Sequence, residues 1–297
     1  MAASLKDRSP RWLKSGADQL TRRYAMATVA DRPAPDFLII GTKRGGTTSL
    51  FNYLLQHPGI LGLYPQNRGK KSTDYFFKEL PRGDAWYRSH FHSRTYRATL
   101  RKRLGYTPVG GEASPYYMWD PRIAPLVVHA APQVKAIALV RDPVERAYSH
   151  YQERKQNGVE PLTFTEALAA EEERTAGEVD AMMADSRYYS SAHDFYTYRA
   201  RGLYLPQLQQ WADALGRDQL LVLRSEDMYA DVNGVFAETC RFLGLPEHQL
   251  ARRGPFNARH RQSDMPDADR AELTTFYAPH NAALEEWLGR PLDWSKP

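Results

Sequence analysis

The stretch from Asp36 to Leu50, DFLIIGTKRGGTTSL, restricts the fold more than any other part of the chain. Its apolar run, Asp36 to Ile40, is closed by Gly41 and reads as a buried strand. Thr47 to Gln56 follows with Leu50, Tyr53, Leu54 and Leu55 at helical spacing, and His57-Pro58-Gly59 stops it. Strand, glycine loop and helix in this order aim backbone N–H groups and the positive helix end at one point, which makes an anion cradle. The interval Gly41 to Gly46 matches a Walker A loop, but Thr47 stands where that motif carries lysine. The cations come earlier, at Lys43 and Arg44. A nucleotide triphosphatase needs that lysine and a carboxylate for Mg²⁺, so the loop suits a different phosphate. Taken alone, an ordinary glycine-rich turn is the other reading.

A second unit repeats the logic. Val134 to Val140 is almost continuously apolar, as in a parallel strand covered on both faces. Asp142 can cap the next helix, Pro143 suits its first position and Glu145 completes a capping-box spacing, so a helix should run to about Asn157. A third strand, Leu220 to Leu223, leads through Arg224-Ser-Glu-Asp into a helix closed by Gly244. The pattern predicts an α/β fold, a P-loop-like parallel sheet flanked by helices, in a single domain with helical insertions. The insertions include Phe164 to Glu173, opened by the capping-box pair Thr163 and Glu166, and Leu203 to Leu215.

The 297 residues suffice for one large domain, and no repeat or low-complexity linker divides them. We expect a basic arm over 1–34 and the folded domain over 35–297. Its first 30 residues carry six cations, Lys6, Arg8, Arg11, Lys14, Arg22 and Arg23. It reads either as a loosely attached segment or as an amphipathic helix lying on a membrane or partner. Lys and Arg number 40 against 35 Asp and Glu, a net +5 compatible with an anionic ligand but too small for a dedicated nucleic-acid binder. Cys240 is the single cysteine, which excludes an intramolecular disulfide framework and suits a small buried apolar residue. With no membrane span and no signal-peptide core in the sequence, a cytoplasmic location is expected.

Arg141 leaves the C-terminal end of the second strand and Ser149 lies on the helix after it, at the edge where open α/β sheets bind ligands. Two anion sites on one sheet point to a bis-phosphorylated ligand. GTKRGGTTSL followed by LVRDPVERAYSHYQ resembles the two nucleotide-binding motifs of sulfotransferases that use 3′-phosphoadenosine 5′-phosphosulfate (PAPS), most of all the heparan-sulfate type and its bacterial relatives. The resemblance continues through Gly111 to Tyr116, Arg201 to Tyr204, LLVLRSEDM, Phe276 to Asn281 and Leu288 to Trp294, so it covers roughly Asp36 to Trp294.

The resemblance implies that Arg44, Gly45, Gly46, Thr47, Thr48 and Ser49 cradle the 5′-phosphosulfate, with Arg44 in the place of a catalytic lysine and Lys43 beside it. It assigns Arg141 and Ser149 to the 3′-phosphate and a basic loop, Arg259 and Arg261, to covering the nucleotide. The acceptor, a carbohydrate or other small molecule, would meet Lys71, Tyr116 and Tyr204. PAPS is the expected co-substrate and PAP the product; no metal and no nucleic acid is expected. Sulfuryl transfer requires a base for the acceptor proton and cations for the leaving oxygen. Lys70 to Phe77 matches a family strand that often supplies a glutamate base, but Ser72 stands in its place. On such a strand Asp74 shares a face with Ser72 and is the expected base, with Glu112 of the Gly111-Glu-Ala-Ser-Pro115 turn as competitor and His150 as third candidate. A P-loop small-molecule kinase and a non-catalytic polyanion-binding module are the other functional readings.

Overall fold

The computed structural model describes residues 11–65, 70–254, 256 and 263–294, with the backbone alone over 11–18. Its strands are β1 (Phe37–Gly41), β2 (Ile60–Leu61), β3 (Val109–Ala113), β4 (Lys135–Val140) and β5 (Leu220–Arg224). They form a parallel sheet in the order β2-β3-β1-β4-β5. The chain moves left from β1 to β2 and right from β4 to β5, so the order reverses between β1 and β4. In open α/β sheets that reversal leaves a crevice at the strand C-termini, where ligands bind.

Alternation along the strands separates two cores. Leu38, Ile40, Ala136, Ala138 and Val140 face Tyr117, Leu208 and Trp211, whereas Phe37, Ile39, Ile137 and Leu139 face Leu50, Leu54 and Phe236. All residues of β1 are buried, the burial of a central parallel strand. Cys240 packs in the second core, and burial pushes its thiol up to about 11, consistent with its reading as a small apolar residue.

Before β3 lie α1 (Arg11–Ala27), α2 (Thr47–Leu54), α3 (Gly83–Arg88) and α4 (Arg94–Leu104). After it come α5 (Ile123–Ala130), α6 (Pro143–Gln156), α7 (Phe164–Ala169), α8 (Glu171–Thr175), α9 (Glu178–Ala184), α10 (Ser191–Phe195) and α11 (Tyr204–Leu215). The last are α12 (Ser225–Ala230), α13 (Val232–Phe242) and α14 (Asp267–Leu288). Asp142 caps α6 by accepting from Val144 N at 2.9 Å, and Thr163 and Glu166 close the expected capping box on α7.

Several local expectations need correction. The helix expected over Phe164 to Glu173 is two, α7 and α8, joined at Ala170. The helix before Gly244 is also two, because Asp231 leaves helical geometry and its carboxylate accepts from Gly234 N to start α13. Gly111 to Ala113 are not in a turn but form the end of β3. The strand expected over Lys70 to Phe77 does not form. Asp74 takes a left-handed φ of 56°, its N–H donates to Ser72 Oγ, and the chain then enters a wide helical turn over Tyr75–Glu79. Local side-chain bonds of this kind divert a backbone from sheet pairing. The turn buries Tyr75, Phe76 and Phe77 together, which an alternating strand cannot do.

The second half of α1 is not loose. Arg22 donates to Ser89 O at 2.7 Å and to Tyr64 O at 3.0 Å, and Ala25 is buried.

Candidate active site

A cavity of about 960 Å³ opens at the C-terminal ends of β1 and β4. The glycine loop forms its floor. Gly45 is pressed against β4 so closely that a Cβ there would stand 2.4 Å from Leu139 O, and Gly46 begins α2 at φ 93°. Arg44 has φ 71°, a conformation that costs a non-glycine residue about 1–3 kcal/mol and is found at functional sites. That twist sends Arg44 Nε to Ser149 Oγ at 3.0 Å, while Arg44 O accepts from Arg141 at 3.3 Å. The two anion-binding units predicted from sequence therefore meet in one cleft.

Of the expected residues, Lys43, Arg44, Gly46, Thr47, Thr48, Ser49, Lys71, Arg141 and Ser149 line this cavity. Lys71 Nζ stands 3.3 Å from Thr47 Oγ1, so a lysine from a distant segment brings an ammonium to the N-terminus of α2. Burial pushes Lys71 down to about 8. Lys43 also falls to about 8, through burial and the neighbouring Arg201, although Asp194 at 3.2 Å favours its charged form. Ser49 exchanges hydrogen bonds with Phe256, accepting from its N at 3.2 Å and donating to its O at 2.9 Å. Arg259 and Arg261 lie outside the described residues.

The remaining candidates sit behind the cavity wall. Tyr204 is buried and donates to Arg141 O at 2.8 Å, so it sets the backbone of a cleft residue without lining the cleft. Tyr116 is buried against His193 Nδ1 at 2.9 Å. Glu112 is fully buried and accepts from Thr73 N at 2.5 Å and from the hydroxyls of Tyr87 and Tyr117 at 3.0 Å. Burial pushes it up to about 7 against these donors. Asp74 accepts from Ser72 Oγ and, at 3.3 Å, from Ser114 Oγ. His150 is fully buried, and burial together with Lys43 and Arg201 holds it well below the usual imidazole range, hence neutral.

Glu153, which sequence reasoning missed, lines the cavity one helical turn beyond Ser149. Its Oε2 is buried, makes an ion pair with Arg154 NH2 at 3.5 Å and accepts no hydrogen bond among the described residues. Its charge acts on both Lys43 and Lys71. Glu145, Ser149, Gln152, Glu153 and Gln156 make a polar stripe of α6 along the cleft, and this i, i+4 spacing from Ser149 was the available signal. Tyr229, Phe256 and Trp294 were also missed; they add aromatic surface to the same cavity, and Trp294 Nε1 donates to Glu226 Oε2 at 3.2 Å.

The family model described as the sulfotransferase domain matches residues 111–258. A crystal structure of a sulfotransferase from Alicyclobacillus acidocaldarius is 30% identical, covers 88% of this chain and 99% of that one, and superposes with a TM-score of 0.65. The membrane-associated sulfotransferase kil1 of Dictyostelium discoideum is 26% identical over 88% of this chain, which spans 66% of that relative's length. Human heparan sulfate glucosamine 3-O-sulfotransferase 6 is 28% identical, over 89% of this chain and 74% of its own. The chain belongs to the sulfotransferase family. Among the described residues, no helix is long and apolar enough to cross a membrane.

Proposed function

We propose that the chain transfers a sulfuryl group from PAPS to a hydroxyl group of a carbohydrate or glycosylated metabolite, with an amine as the less favoured acceptor. One observation carries the reading: a single cleft at the sheet's reversal point holds cations at two stations. One is the N-terminus of α2 with Lys43 and Lys71, and the other is Arg141 with Arg44, whose Nε donates to Ser149 Oγ. A nucleotide with a phosphosulfate at one end and a 3′-phosphate at the other needs cations for both groups. Tyr229, Phe256 and Trp294 give its base an aromatic surface.

In the reaction the acceptor oxygen bonds to sulfur while the bond from sulfur to the 5′-phosphate oxygen breaks. The negative charge then grows on that phosphate oxygen, where α2, Lys71 and Lys43 can stabilise it. The acceptor proton must leave for a base, and we assign it to Glu153, with Asp74 as the competing base. Glu153 lines the cleft, where its carboxylate makes an ion pair with Arg154 and lies near Lys43 and Lys71, whereas both oxygens of Glu112 are occupied by donors of the fold. A carbohydrate acceptor is supported by the heparan sulfate relative and by the polar stripe of α6. Family membership removes the ground for the kinase and polyanion-module readings.

The test supplies labelled PAPS with a panel of sugars, glycosides and phenols and identifies the product by mass. A product heavier by one sulfuryl group on a sugar hydroxyl supports the proposal. Transfer confined to phenols, or none across the panel, counts against it.

A further inference from the structure

Charge is unevenly placed along this chain. The helix α1 carries a net +3, and no acidic residue occurs from Ala85 to Gly111, a stretch with six Lys and Arg. The rest of the chain therefore totals −4 against the overall +5. The fold brings these two basic segments together. Arg22 of α1 donates to Ser89 O at 2.7 Å, and just past the helix Arg94 NH1 donates to Ala30 O at 3.0 Å, Thr95 N donates to Asp31 Oδ2 at 3.2 Å, and Arg32 donates to Phe91 O.

The joined surface also exposes apolar side chains. Leu20 is 68% exposed, Tyr24 59% and Tyr96 46%. A line of contacts links the two tyrosines: Arg32 lies over the rings of Tyr24 and Tyr64, His92 packs edge-on to Tyr64, and Tyr96 stacks on His92. Arg23, Arg94, Arg101, Lys102 and Arg103 are exposed around them.

We infer that this α1/α4 face binds the surface of an anionic lipid bilayer. Basic residues alone would serve any polyanion, but exposed Leu and Tyr beside them suit an interface in which apolar groups enter the headgroup region and cations meet lipid phosphates. The orientation is also suitable. Arg97 ties α4 to Asp36 at 2.7 Å and to Pro108 O at 2.7 Å, at the N-terminal ends of β1 and β3. The cleft lies at the opposite, C-terminal ends, so a protein resting on this face keeps its active site open to solution.

The experiment floats the full chain with phosphatidylcholine vesicles that contain or lack about a third phosphatidylglycerol. Binding is expected only to the anionic vesicles and should fall at least tenfold in 0.5 M salt. Leu20→Glu/Tyr24→Glu and, separately, Arg101→Glu/Lys102→Glu should each weaken it about tenfold or more. Thermal stabilisation by PAP should be unchanged in both, which keeps this result distinct from the fate of the proposed reaction. No binding to anionic vesicles overturns the inference. So does binding that depends on the cations but ignores Leu20 and Tyr24, because that outcome marks a general polyanion surface such as heparin would occupy.

Discussion

The end of β3 and the cleft-facing stripe of α6 each present a glutamate close to the reaction site, and the fold treats them in opposite ways. Glu112 is sealed under the aromatic cluster with donors on both oxygens. Glu153 sits near lysines on the cavity wall, its Oε2 paired with Arg154 and accepting no hydrogen bond among the described residues. A buried carboxylate whose bonds are complete acts as architecture, because moving a proton there breaks contacts the fold depends on. A carboxylate that lines a cleft and is held there by an ion pair, with no donor of the fold bonded to its Oε2 among the described residues, is the better placed to take a proton.

The change expected to separate them most is Glu153→Gln, which keeps shape and removes basicity. Turnover should fall by roughly 10²–10⁴ with little change in PAP affinity, measured by steady-state kinetics beside calorimetric titration. Asp74→Asn should stay within a few-fold of wild type; the reverse pattern moves the base to Asp74. Next in size is Arg141→Ala, which tests the far end of the cleft. Loss of a charged hydrogen bond of about 1.5–3 kcal/mol should erase most of the preference for PAP over 5′-AMP in competition binding.

Glu112→Gln should act on stability. Leaving a buried donor without its acceptor costs about 1–3 kcal/mol, read as a lower denaturant midpoint, while turnover per folded molecule stays near wild type. The pH dependence gives a second reading. Glu112 titrates at about 7 in the fold against 4.5 in the unfolded chain, so its contribution to stability is complete below about 4.5 and is lost as pH rises through 7. Glu112→Gln should flatten that part of the profile. The smallest effect concerns Lys43 and Lys71, both held near 8 by burial. They bind anions as ammonium groups, so PAP affinity should be full below about 8 and fall above it, by at most about tenfold per pH unit for each proton lost. Affinity that is flat from pH 7 to 9.5 would remove the lysines from the phosphosulfate site.

The cofactor half was legible in the sequence because its chemistry is local. A strand, a glycine loop and a helix N-terminus are contiguous over Phe37–Leu54, and Arg141 and Ser149 follow the same rule on β4 and α6. The rest of the site depends on distant segments. Lys71 meets Thr47 from 24 positions along the chain, and periodicity could not foresee the turn at Asp74 that follows it, since aromatic runs such as Tyr75-Phe76-Phe77 suit strand and helix alike. Glu112 likewise gains its role from Thr73, Tyr87 and Tyr117, donors brought from three different stretches. β2 and β3 escaped notice because one is two residues long and the other is rich in glycine.

The most direct test of the two-station cleft is the unfolding midpoint measured with saturating PAP, 5′-AMP, or ADP with Mg²⁺. A ligand of the folded state adds RT ln(1 + [L]/Kd), roughly 2.7 kcal/mol at a hundredfold excess over its Kd, so at one concentration a ligand held at both ends, with the lower Kd, adds more. PAP should therefore raise the midpoint well above either of the others at equal concentration. Equal stabilisation by PAP and 5′-AMP would contradict the second station, and a preference for ADP with Mg²⁺ would contradict the assignment of the cleft to PAPS.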